Sequence, residues 1–167
     1  MATTTTTDTA SEAPVWGYEI KDYLNIGTVA SPQWVEFDNL TGFDASSDSD
    51  TYEPEYINRK TSPKFTLAQN FSVEYTIDLY RNNTLSSYLI EHEDETDIEV
   101  ELLRVYTWLG TAKAMTAKKA LCLLTPNPVD KSNANQPGQL SGTINRKDED
   151  WTKGTWSGTA FTAATAA

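Results

Sequence analysis

The sequence predicts a mainly β domain with one flanking α-helix and one long inter-strand loop. Three observations lead there. Phe71, Val73, Tyr75, Ile77 and Leu79 alternate with Ser72, Glu74, Thr76, Asp78 and Tyr80, the period-two pattern of a strand with one buried face. Two later segments, 97–109 and 120–125, carry apolar residues on both faces, as strands covered twice would. A single stretch has helical spacing: Leu85, Tyr88, Leu89 and His92 fall at i, i+3, i+4 and i+7.

The elements follow in chain order. Residues 1–13 are a Thr-rich arm, with five consecutive threonines from Thr3 to Thr7, too poor in apolar surface to offset its ordering entropy. One domain is expected over 14–162, followed by a short tail of small residues over 163–167. A short helix is expected over 19–24, then strands over 33–37 and 40–44 around Asp38 and Asn39. The polar segment 45–64, with Pro54, Pro63 and two tyrosines, reads as a loop; that length is uncommon unless the loop binds something. Asn83 or Thr84 can cap the helix that follows the 71–80 strand. In 97–109, Ile98, Val100 and Leu102 share a phase that Leu103, Val105 and Leu109 break. Either a bulge shifts the strand there or both of its faces are covered. Pro126, Pro128 and Pro137 bracket a loop, and strands at 139–146 and 155–161 flank the polar run 147–150, read as a hairpin connection.

Composition narrows the function. The chain has 167 residues, enough for one real core, with 13 basic and 24 acidic residues and a formal charge of −11. That balance argues against a surface built to grip phosphate. A mean hydropathy of −0.51 and no long apolar run give no expectation of a membrane anchor. The start shows no secretory pattern, so synthesis in a reducing compartment is expected.

Catalytic chemistry finds few candidates. The single histidine, His92, sits among Glu91, Glu93, Asp94 and Glu95, but lacks the second histidine of a zinc-protease helix. The single cysteine, Cys122, lies between leucines in an apolar strand and reads as a packed, inert thiol. Asp44, Asp48 and Asp50 approach a calcium-loop spacing, but Tyr52 stands where an oxygen ligand belongs. Glu99 and Glu101 lie on one strand face rather than across a cleft. No metal, cofactor or enzymatic activity is expected. Five tryptophans, among them Trp34, Trp108, Trp151 and Trp156 in or beside strands, could line a sugar platform in a monomeric β-sandwich. Core or subunit packing is the plainer use of such rings.

An ordered set of motifs remains. Leu24 to Gly27 leads into Trp34 to Phe37 and then Leu40 to Phe43; an acidic stretch, Tyr56 to Asn58 with Arg59 and Lys60, the 71–80 strand and the helix follow. In this order the chain resembles the major tail tube proteins of long-tailed bacteriophages. The resemblance implies a β-sandwich or barrel-like structural subunit, six copies to a ring, and rings stacked into a hollow tube that conducts DNA from capsid to host. It also implies a place in the virion tail after synthesis in the host bacterial cytoplasm. Its partners would be further copies, a tape measure protein, a terminator, and a sheath or baseplate. A related reading is the tube of a contractile bacteriocin or secretion-like injection system. On this resemblance the long loop would reach the adjacent ring through Ala45, Asp48, Asp50, Tyr52, Glu55, Tyr56, Asn58, Arg59 and Lys60. Acids lining the bore would repel phosphate and keep friction low, and Glu74, Asp78, Glu99 and Glu101 are the strand-borne candidates.

Overall fold

The computed structural model describes residues 13–55, 57–58, 60–131, 135–148 and 150–165; the arm 1–12 lies outside them. A 3-10 turn at Gly17–Glu19 precedes strand β1 (Ile20–Asn25), so the helix expected at 19–24 is a strand. Its residues alternate toward two different cores, with Leu24 buried on one side and Tyr23 packed on the other. β2 (Trp34–Glu36), β3 (Leu40–Tyr52), β4 (Phe65–Asp78), β5 (Ile98–Thr111), β6 (Ala114–Pro126) and β7 (Gln139–Arg146) complete one antiparallel path, ordered β2-β1-β5-β6-β7-β4-β3. Short strands β8 (Thr152–Trp156) and β9 (Phe161–Ala163) pair with each other, and β8 also pairs with β6. The tail boundary placed after Thr162 therefore falls inside β9, where Ala163 stands opposite Gly154.

The sheet curls so that one face closes on the main core. Val73, Tyr75 and Ile77 of β4 meet Val100 and Leu102 of β5, Cys122 and Leu124 of β6, and Ile144 of β7. Helix α1 (Thr84–Glu91) covers this core with Leu85 and Leu89, both fully buried. Asn83 caps it, its side-chain oxygen accepting from the Ser86 N–H at 2.8 Å. Across the core Phe37 meets Phe43 at 6.1 Å and Tyr75 at 5.3 Å, edge to face.

The phase break in β5 has a simple cause. Leu102 belongs to the main core, whereas Leu103 and Val105 belong to a second core on the opposite face with Ala117 and Trp156. The strand is covered on both sides, and its register with β1 and β6 runs unbroken through Leu102 and Leu103. The irregularity lies further on, between Tyr106 and Gly110.

The polar run 147–150 is not a hairpin turn. β7 and β8 lie end to end along the same edge of β6, with Arg146 opposite Cys122 and Thr152 opposite Lys119. Five residues, 147–151, thus stand opposite two, Ala120 and Leu121, and the strand bulges. Asp148 fixes the bulge by accepting the Leu121 N–H at 2.8 Å. Beyond it the sheet forks: β8 stays with β6, while β4 continues with β3 alone.

Candidate assembly surface

The fork turns the segment expected to be a loop into a ribbon. Positions 45–52 are strand, paired with β4 across one irregularity at Leu67, and only 53–64 connect the two strands. Ala45, Asp48, Asp50 and Tyr52 therefore lie in β3 and not in a loop, because Asp44, Ser46, Asp48 and Asp50 alternate with Ala45, Ser47 and Ser49 at strand period. Glu55, Asn58 and Lys60 lie in the connection; Tyr56 and Arg59 lie outside the described residues. Over positions 45–52 and 65–70 every residue is exposed. Tyr52, Phe65 and Leu67 of this ribbon are exposed by 54%, 49% and 68%, and Tyr52 and Phe65 stand opposite each other on the face that also carries Asp50. An isolated two-stranded ribbon is marginal in water, and an open edge is a template for another strand.

The four acids expected on a lumen share one face of the sheet. Residues opposite each other in an antiparallel ladder point the same way, which places Glu101 with Leu121, Glu99 with Leu123 and Asn145, and Glu74 with Thr143. Asp78 follows at strand period, with its Oδ1 accepting from Gln139 at 2.9 Å. All four lie opposite the core-facing Val73, Tyr75, Val100 and Leu102.

Their charges are not equivalent. Glu101 accepts from Lys119 at 2.6 Å and from Asn25 at 2.8 Å, and Glu99 is paired with Lys147. Glu74 is exposed and stands opposite Asp44. Three acids that sequence reasoning assigned elsewhere join the same face: Asp44 opposite Glu74, Asp48 opposite Asn70, and Asp50 opposite Ala68. Their even spacing was the available signal.

The residues weighed for catalysis have structural settings. His92 closes the helix, its ring 4.5 Å from Tyr88 and its Nδ1 2.9 Å from Glu95. Burial pushes the Cys122 thiol up to about 12, which leaves no thiolate at neutral pH. Trp156 is buried in the second core, 5.2 Å from Tyr23 and 6.1 Å from Trp34, so these rings form no open platform.

The chain superposes on the SPP1 tail tube with a TM-score of 0.67 at 12% identity, over 86% of this chain and 80% of that one. It has the tail tube fold. A chain from the tail of an empty gene transfer agent particle, refined with C6 symmetry, superposes at a TM-score of 0.56 and 12% identity, covering 90% of this chain and all of that one. A chain of a sheath/tube terminator structure from an extracellular contractile injection system matches at 0.54 and 13% identity, over 85% and 99%. No protein-family model matches the sequence, and no curated protein does.

Proposed function

We propose that this chain is the structural subunit of a phage tail tube, without enzymatic activity. Six copies close into a ring, and rings stack into a hollow tube that conducts DNA from capsid to host. The β3–β4 ribbon carries the reading: it projects from the core, exposes Tyr52, Phe65 and Leu67 and leaves β3 at the end of the sheet path, so its surface is completed by another copy. Head-to-tail contacts of this kind close into rings or extend into filaments according to the operator. The C6 symmetry of the gene transfer agent tail supports six as the ring number. The connection at Glu55, Asn58 and Lys60, at the ribbon's end, reaches the adjacent ring.

The acidic face lines the bore. Glu74, Asp44, Asp48 and Asp50 repel passing phosphate, while Glu99 and Glu101, held by Lys147 and Lys119, contribute less free charge. The subunit is made in the host bacterial cytoplasm and resides in the virion tail, where tape measure, terminator and sheath or baseplate proteins meet the tube. A contractile injection tube is the second reading, favoured by the likeness to the tube terminator structure. Negative-stain microscopy of the purified chain over a concentration series tests the proposal. Rings or tubes with a central hole are expected, and monomers at every concentration would contradict it. Tubes carrying Asp44→Lys with Glu74→Lys that eject DNA normally would remove the acidic-bore assignment alone.

A further inference from the structure

Beyond Ser72 the sheet ladder stops setting the course of the ribbon. The last pair between β4 and β7 is Ser72 with Asn145, and outward from there β4 is laddered to β3 alone. A two-stranded ribbon twists strongly and has little stability of its own, so its ladder does not determine where it points. Two arginines stand where the wider sheet ends.

Arg104 of β5 reaches the ribbon's base from the core side. Its Nε and Nη2 donate to the two carboxylate oxygens of Asp22 on β1, at 2.8 and 3.3 Å, and the two side chains are only 14% and 7% exposed. The same guanidinium lies 5.6 Å from the ring centres of both Phe43 on β3 and Phe71 on β4. Trp151 of the bulge meets Phe71 edge to face at 5.1 Å. Arg146, the last residue of β7, works from the open edge of β4. Its Nη2 donates to the Gln69 carbonyl at 2.6 Å, beyond the last ladder pair.

A buried ion pair seldom adds more stability than apolar side chains of the same volume. What a guanidinium adds is direction: two-point bonding to a carboxylate fixes its plane, and ring contacts fix what that plane faces. We propose that Arg104, held by Asp22, and Arg146 are positioning residues that fix the direction in which the β3–β4 ribbon leaves the body of the subunit, so that it meets a second copy already aligned. A segment aligned beforehand loses less freedom on binding, which tightens association. That consequence rests on the self-assembly reading above; the alignment within the monomer does not.

Spin labels at Ser49→Cys on the ribbon and Ser87→Cys on α1, both exposed sites, report the ribbon's direction, and the fully buried Cys122 takes no label. Double electron–electron resonance on this labelled parent as a monomer should give one narrow distance distribution. Asp22→Leu with Arg104→Leu keeps the core filled without a buried charge, and Arg146→Ala removes one hydrogen bond at the sheet's edge. Both should melt close to the parent, yet each should broaden the distribution. Sedimentation velocity of the same substitutions without labels should show association weakened about tenfold. A purely structural role would lower the melting temperature and leave the distribution narrow. A narrow distribution in both variants, or a broad one in the parent, overturns the positioning role. Broad distributions with wild-type association overturn its consequence for assembly. A wild-type chain that stays monomeric at every concentration overturns the self-assembly reading, and the distance measurement still decides whether the arginines position the ribbon.

Discussion

Strand β4 is two environments in one element. From Ser72 to Asp78 it is flanked by β3 and β7, and Val73, Tyr75 and Ile77 are buried beneath α1. From Phe65 to Asn70 it has β3 on one side only, and every residue is exposed. Both halves have strand-forming composition, so intrinsic propensity does not separate them. What differs is the cover, and the bulge at 147–151 is where the cover ends. The inner half is held by this chain's own core; the outer half leaves apolar side chains exposed.

The largest expected effects lie in the inner half. Gly142 of β7 has no room for a side chain: an added Cβ would stand 2.5 Å from both the Thr125 carbonyl oxygen and the Tyr75 hydroxyl. Gly142→Ala should cost about 3 kcal/mol or more in urea denaturation through overpacking and backbone shift. A wild-type midpoint would show that Tyr75 moves freely and that the core is looser than described. Arg104→Leu should cost a similar amount, about 3–5 kcal/mol, because it strands the Asp22 carboxylate. Burial already pushes that carboxyl above its ordinary value, with Arg104 and Lys118 opposing the shift. Adding Asp22→Leu should restore most of the loss; a double variant no better than the single would place the cost in lost packing around Phe43 and Phe71 instead.

The outer half should respond in the opposite sense. Leu67→Ser removes an exposed side chain and should change monomer stability by no more than about 0.5 kcal/mol, yet abolish tubes by microscopy. Loss of monomer stability equal to a core substitution would mean the ribbon already packs within its own subunit. The smallest effect belongs to Tyr75, whose buried hydroxyl has no hydrogen-bond partner among the described residues. Tyr75→Phe should be neutral or slightly stabilising by thermal melting, since it removes an unsatisfied polar group. A loss above about 1 kcal/mol would reveal a partner for that hydroxyl.

The difference between the halves also explains what was legible in sequence. Alternation from Phe71 to Leu79 and the stripe of Leu85 and Leu89 reported burial inside one chain, and periodicity reads burial well. The ribbon has no such burial within the chain. Its Asp44, Asp48 and Asp50 alternate as cleanly as the core residues, but their partners are serines, and two prolines in the connection made the whole segment look like a loop. A cross-strand row of cations, Arg104 of β5, Lys118 of β6 and Lys153 of β8, was hidden for another reason. Arg104, Lys118 and Lys153 are scattered in sequence and meet only through register, which no local pattern contains. The same holds for the bulge, whose acidic composition resembles a turn. That Glu74, Asp78, Glu99 and Glu101 share one face was legible because strand parity is local, whereas the lysine partners of Glu101 and Glu99, at 119 and 147, came from pairing.

Hydrogen exchange along β4, before and after assembly, tests the comparison most directly. In the monomer, amides at 73–77 should be protected and those at 65–70 should exchange quickly; in the tube, both should be protected. Tubes that form while 65–70 continue to exchange at the monomer rate would contradict the claim that the ribbon is completed by a neighbouring copy.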